Sequence, residues 1–479
     1  MTFVAYDPAV HNPSALVSAI FAGSSGVALV PGSALVSYGT GQDEAGVNGT
    51  SLSFYDGSIA SLNIGAGLLL TSGDATPPAT NGDSGYSVTL EGDAGADAQL
   101  QATVNAAFEG AGDVQDVTTL QFQIQVSDPA ATGLRFDVVF ASDEYPEYKD
   151  SSFVDVAGVY VNGVNYALFN GSAATPLSVV DANIVAGNFR NNDASEGASA
   201  NLPIEYDGVT IRLQVTAPLQ QGTNTIKIAI GDTGDEILDS GIFVSGLQAV
   251  NYAGYGLAQQ VPVSGGSTVT DTGANQVYQG DGQNNVVVLV SGQDVVDGGA
   301  GIDKVQYQFG VAGITGISWD GNVLSLHSGA NASTLVNVER VQLGDGSLFA
   351  LDTQVGEQTY NVYALLNAAF GTPSAALLSD WLADADMAAP GQDLGDLAQT
   401  LLNTYAGGAS NEAVVAYLIQ SIAGRAATQQ EVQTFSGMIG TTFETVGDLF
   451  ARAAMLSLNT DKIAGIVGSI VQLDPVHYV

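Results

Sequence analysis

The stretch Leu120-Gln-Phe-Gln-Ile-Gln-Val126 puts an apolar side chain at every second position, with a glutamine between each pair. A period of two fits a β-strand with one buried face. It excludes a helix, whose apolar residues recur every three to four positions. Residues 134–138, 209–215 and 226–230 repeat the pattern. Several such strands, separated by Gly/Asp/Asn turns, predict an antiparallel β-sandwich over residues 1–252.

Residues 253–275 are rich in Gly, Ser, Thr and Gln and read as a linker. Residues 276–352 are Gly/Asp/Val-rich and again β-like. The period then changes. Val362, Leu365, Leu366 and Ala369 fall at helical spacing, as do Leu394, Leu397, Ala398, Leu401 and Leu402, and then Val415, Leu418, Ile419 and Ile422. Ile463, Ile466, Val467, Ile470 and Val471 form a last stripe, which Asp474-Pro475 would stop. Residues 353–479 therefore read as a helical bundle, and the whole chain as mainly β with an α-helical C-terminal domain. Tyr363-Ala-Leu-Leu-Asn-Ala-Ala-Phe-Gly371 is similar to Tyr417-Leu-Ile-Gln-Ser-Ile-Ala-Gly424. Two ordinary helical hairpins and an internal duplication both account for this.

The charge narrows the partners. Ten Lys and Arg face 49 Asp and Glu over 479 residues, a net charge of −39, and there is no cysteine. Disulfides and thiolate metal sites are excluded. Nucleic acid and anionic membranes, which need basic surfaces, are not expected partners. An excess of carboxylates suits a hard cation such as Ca²⁺. The opening residues MTFVAYDPAV lack a basic segment followed by an apolar one, so no Sec signal peptide is expected. The longest apolar runs are too short for a transmembrane segment.

Three units recur at nine- to ten-residue spacing: Gln279-Gly-Asp-Gly-Gln-Asn-Asn-Val-Val287, Leu289-Val-Ser-Gly-Gln-Asp-Val-Val-Asp297 and Gly298-Gly-Ala-Gly-Ile-Asp-Lys-Val-Gln306. Aligned, they share Gly282, Gly292 and Gly301, then Asn284, Asp294 and Asp303, then Val286, Val296 and Val305. The third fits the nonapeptide G-G-x-G-x-D-x-U-x in full. Glycine allows the tight turn, Asp supplies a charged oxygen, and the apolar residue starts a short strand. These residues resemble the RTX calcium-binding β-roll family. The resemblance implies a short roll over 276–352, holding one or two Ca²⁺ ions through Asn284, Gly292, Asp294, Gly301 and Asp303. A glycine-rich array of turns without metal is the plainer reading of the same residues. The stretch Asn337-Val-Glu-Arg-Val-Gln-Leu-Gly-Asp-Gly-Ser-Leu-Phe-Ala-Leu-Asp352 is similar to the β-segment that follows such repeats in secreted bacterial proteins, and residues 357–479 to the helical domain that comes next. That resemblance implies export by the type I secretion machinery, with a C-terminal signal.

Four stretches of the N-terminal region resemble the choice-of-anchor L domain of bacterial surface and secreted proteins. They are Leu68-Leu-Leu-Thr-Ser-Gly-Asp-Ala75, Phe140-Ala-Ser-Asp-Glu-Tyr-Pro-Glu-Tyr148, the run of residues 151–163, and the run of residues 228–244, which includes Gly231-Asp-Thr-Gly-Asp-Glu-Ile-Leu-Asp239. Two of these hold dense carboxylates at strand ends. Some of Asp143, Glu144, Asp155, Asp232 and Asp239 would then share a second Ca²⁺, since uncompensated acids repel. The same acids capping turns is an equal alternative.

No enzyme is expected. Three histidines stand far apart at 11, 327 and 477, and no H-E-x-x-H, G-x-S-x-G or P-loop occurs. The expectation is a secreted, extracellular or cell-surface structural or adhesive protein. It would bind calcium and self-assemble as a homo-oligomer or homopolymer, a filament or layer subunit at the surface or in a biofilm matrix. A mean hydropathy of +0.20 leaves apolar surface for such contacts. The alternatives are a calcium-dependent carbohydrate- or host-binding module and a secreted hydrolase.

Overall fold

The computed structural model describes residues 2–478 apart from 22–25, 44–45, 83–84, 91, 93–94, 194–196, 199–201, 255 and 389–391. The chain is mostly β, with several sheets and a cluster of helices towards its C-terminal end. It divides into two units, Met1–Val261 with Asn275–Val277, and Pro262–Ala274 with Tyr278–Val479.

The first unit is built on β1 (Gly67–Thr71), β2 (Val114–Val126), β3 (Gly133–Ser142), β4 (Val156–Val161), β5 (Leu213–Pro218), β6 (Gly222–Thr233) and β7 (Ser240–Val250). One antiparallel sheet has the order β1, β7, β3, β5, then Gly256–Pro262. A second has the order β4, β6, β2, then Val27–Leu29. Along β2, Leu120, Phe122, Ile124 and Val126 are all buried, while the intervening glutamines are not. They share one core with Phe136 and Phe140 of β3 and Ile242 of β7, so both sheets feed it. The other face of β3 is also covered: Val139 and Ala141 pack with Ile204 and Tyr206. Burial on both faces explains why alternation fails in β3, where Val138-Val-Phe-Ala141 runs unbroken.

Two expectations need correction here. Residues 209–215 form two strands, Gly208–Thr210 and β5, because the register against β3 slips by one residue between Val209, opposite Ala141, and Leu213, opposite Val138. Residues 253–275 are not a plain linker. Gly256–Pro262 pairs with β5 and buries Leu257 and Ala258, which a glycine-rich composition hides.

The second unit begins with β8 (Thr268–Thr270), β9 (Val286–Leu289), β10 (Gln293–Asp297), β11 (Lys304–Tyr307), β12 (Asn331–Val336), β13 (Arg340–Gln342) and β14 (Leu348–Ala350). Strands β8, β9, β11 and β13 pair in parallel, and β10 pairs in parallel with β12 in another sheet. Val269 lies beside Val287, and Val287 beside Val305. The sequence unit of nine residues is thus half a coil, and neighbours within a sheet lie two units apart. Successive coils approach so closely at the turns that a Cβ on Gly298 would meet the Asn337 carbonyl oxygen at 2.1 Å.

Among the described residues seven helices follow: α1 (Gln358–Phe370), α2 (Ala375–Asp386), α3 (Leu394–Tyr405), α4 (Asn411–Ala423), α5 (Gln429–Ser436), α6 (Val446–Ala454) and the short α7 (Ser457–Thr460). Their order carries the internal similarity further. α1 and α4 each end at a glycine with positive φ, Gly371 and Gly424, and α2 and α5 each start from a hydroxyl cap, Ser374 and Thr428. The last apolar stripe is not the expected helix. Asp461–Ile466 is a 3₁₀ turn, and Val471–Leu473 is a strand paired with β14. Gly465 and Gly468 break the helical run, and β-branched residues favour the strand. Among the described residues no helix is long and apolar enough to cross a membrane.

Candidate functional site

Register brings the acids of the first unit together. Ser142 ends β3 opposite Ser240, which opens β7, so the next residue, Asp143, meets the residue before, Asp239. The Asp143 N–H donates to the Asp239 carbonyl at 3.2 Å. On the other sheet, Val156 opens β4 opposite Gly231 of β6, so Asp155 and Asp232 fall side by side. A register shift between Ile230 and Asp232 turns the end of β6 at this point. Asp143, Glu144, Asp155, Asp232 and Asp239 thus gather at the ends of four strands, all at most 2% exposed.

Their hydrogen bonds are few. Glu144 Oε2 accepts the Asp155 N–H at 2.7 Å, Asp239 Oδ2 accepts the Val88 N–H at 2.9 Å, and Asp143 Oδ1 accepts the Asp207 N–H at 3.1 Å. These bonds match the turn-capping reading. Asp143 Oδ2 and both oxygens of Asp155 and of Asp232 accept none. Burial pushes all five carboxyls well above the usual carboxylate range. Neighbouring carboxylates push further: Asp207 and Asp239 on Asp143, Asp235 on Glu144, Asp232 and Glu144 on Asp155, Asp239 and Asp116 on Asp232. A Cβ on Gly73 would fall 1.8 Å from Asp239 Oδ2, so the chain closes tightly over this carboxylate.

Sequence reasoning missed Asp116 and Asp207. Asp116 lies inside β2 with φ +44°, and Asp207 is fully buried with its carboxyl pushed up to about 7, mainly by burial. The signal for Asp116 was the acid that interrupts the apolar alternation at the start of β2. Asp207 carried none, because it belongs to no strand of regular pattern.

In the second unit the repeat residues separate into two groups. Asp303 is buried. Its Oδ1 accepts the Asn285 N–H at 2.7 Å, its own N–H donates to Glu339 Oε2 at 2.7 Å, and Oδ2 accepts nothing. Asn285, not Asn284, therefore stands one coil before Asp303. Asn284 is exposed, and its side-chain oxygen accepts the Ile302 N–H at 2.9 Å. Gly301 belongs to the turn leading to Asp303, with φ +122°. Gly292 and Asp294 belong to the other sheet, where Asp294 lies beside Ser333 of β12. Burial moves the Asp303 carboxyl up to about 7 and that of Glu339 up to about 8.

The chemistry available at both places is that of oxygen donors alone. Among the described residues no three Asp, Glu or His side chains stand ready-made around a common point for a metal ion. Asp155 and Asp232 are 0% and 1% exposed. Of the histidines, His11 packs against Phe54, His327 is exposed on the strand Val323–Ser328, and His477 meets Asp380 at 3.0 Å.

A β-rich domain with carboxylates gathered at its strand ends is the class that these elements define. The choice-of-anchor L domain model matches residues 5–248, just over half of the sequence. The chain belongs to the choice-of-anchor L domain family, and it is a bacterial cell-surface or secreted protein. No curated protein matches it. Among solved structures, the extracellular lipase LipA from Serratia marcescens aligns at 16% identity over 17% of this chain and 14% of that one, with a TM-score of 0.11. A family 35 carbohydrate binding module from an environmental isolate aligns at 13% identity over 36% of this chain and 89% of that one, with a TM-score of 0.14. Scores this low carry no argument about fold or ligand.

Proposed function

We propose that the chain is a calcium-stabilised structural or adhesive protein that assembles with further copies of itself at the bacterial surface or in the extracellular matrix. In this reading the two sheets of the first unit form a sandwich. The parallel coils form a short RTX-like roll, the helices are its following module, and the type I machinery exports the chain. It acts by binding rather than by catalysis.

The observation that carries the reading is the buried pair Asp155 and Asp232, which face each other with only the Ser240 and Ser72 hydroxyls nearby and no well-formed hydrogen bond to any of their four oxygens. Two ionised carboxylates in a dry site repel unless a cation lies with them or a proton is taken up. An all-oxygen donor set favours Ca²⁺ over softer metals. Asp155 and Asp232 would hold the ion, with Glu144, Asp239 and Asp116 as the further carboxylates that act on them, and Asp143 beyond Asp239. The ion would supply neutralisation, and carbonyl and water oxygens would complete the shell, so binding would order the strand ends. The orphaned Asp303 Oδ2 is the matching support in the second unit.

Negative-stain microscopy of the full chain in millimolar Ca²⁺ and in EDTA tests the assembly. Filaments or sheets that form with Ca²⁺ and dissolve with EDTA are expected. A monomer that persists in Ca²⁺ overturns the reading, and saturable binding on a glycan array by that monomer would favour the carbohydrate-binding alternative.

A further inference from the structure

The helices enclose an apolar cleft of about 320 Å³ between α4, α5, α6 and the segment after α6. Val415, Leu418 and Ile422 of α4 and Leu449 of α6 form its buried floor. Phe435 and Leu456 stand at its rim, 40% and 45% exposed. Arg425, Glu431 and Arg452 are its polar lining residues, and the other twelve are apolar.

The charge at this rim runs against the rest of the chain. Arg425 and Arg452 line the cleft, and Lys462 donates to the Ser421 and Ile422 carbonyls at the end of α4. These are three of only ten cations in a chain of net charge −39. Glu431 is neutralised by Arg425 at 2.5 Å. Arg452 is exposed in the last turn of α6 and has no carboxylate partner among the described residues.

We propose that this cleft binds one fatty-acid molecule, its tail against α4 and α6 and its carboxylate at Arg452. The volume lies near the lower end of small-ligand cavities, room for one alkyl chain rather than the two of a membrane lipid. The floor offers no hydrogen-bonding side chain, so an extended peptide backbone entering it would leave its N–H and C=O groups unpaired. The free guanidinium selects an acid over a neutral chain of the same length.

The test uses the full chain and a dansyl-labelled undecanoic acid, whose fluorescence rises on entering an apolar site. Saturable uptake of the probe, displaced by dodecanoate, is expected. Arg452→Glu should weaken dodecanoate about three- to tenfold, the scale of an exposed ion pair reversed in sign, and leave 1-dodecanol unchanged. Arg452→Lys should restore most of the acid affinity, and Leu456→Ser should weaken acid and alcohol alike. Absence of saturable uptake overturns the proposal. So does an equal loss of acid and alcohol in Arg452→Glu, and so does binding confined to vesicles of anionic two-chain lipid.

Discussion

Asp155 and Asp232 bring two acids together in a buried place where the nearby donors are the hydroxyls of Ser240 and Ser72. Replacing one with its neutral isostere separates the two ways of resolving this. In EDTA, Asp232→Asn should stabilise the chain by about 1–3 kcal/mol, because an amide donates to Asp155 without the proton uptake or buried charge that a second carboxyl requires. In Ca²⁺ the same change should remove a ligand and lower the melting temperature below that of the parent. A variant less stable than its parent in both buffers would count against a cation between the pair. The pH dependence has a definite sign. These carboxyls hold their protons more tightly in the folded chain than in the unfolded one, where Asp titrates near 3.9. The folded state therefore carries more protons from about that pH upward, a window to which Asp207 and Asp303, pushed up to about 7, and Glu339, pushed up to about 8, contribute with the same sign. Stability of the metal-free chain should fall as pH rises through that window. Urea midpoints in EDTA should be lower at pH 8 than at pH 5, and Ca²⁺ should flatten the difference. A midpoint that rises with pH would contradict the assignment.

At the scale of elements, Arg340 of β13 is the clearest joint. Fully buried, it pairs with Asp352 at 2.5 Å and with Asp386 at the end of α2 at 2.7 Å. Arg340→Met should cost about 3–5 kcal/mol by leaving two buried carboxylates without their cation. Chemical denaturation followed by circular dichroism at helical wavelengths would read it, and a loss below about 1 kcal/mol would show the pairs to be dispensable. Strand and helix identity was largely legible in the sequence. The alternation of Leu120, Phe122, Ile124 and Val126 marks β2, and the stripes from Val362, Leu394 and Val415 mark α1, α3 and α4. The failures have a common cause. Residues 463–471 are a short apolar run in which a helical period and a strand read alike, and only pairing with β14 decides. Residues 256–262 are similarly ruled by a ladder partner more than forty residues earlier in the chain.

At the scale of the whole molecule, the −39 charge is distributed unevenly in kind. Many of its carboxylates are solvated surface, but a few are buried where burial holds them up and other acids press on them. The sequence showed which loops were acidic, through Phe140-Ala-Ser-Asp-Glu-Tyr and Gly231-Asp-Thr-Gly-Asp. It did not show which oxygens would lack partners, because that depends on register between strands far apart in the chain. It also misaligned the repeat: Asn285 lies over Asp303 because a coil takes two nine-residue units. Calorimetric titration of Ca²⁺ into the full chain, beside an Asp155→Asn/Asp232→Asn variant, tests the central claim most directly. The account predicts saturable binding, with at least one site lost in the variant while the sites near Asp303 remain. The same heats from both proteins, or none from either, would contradict it.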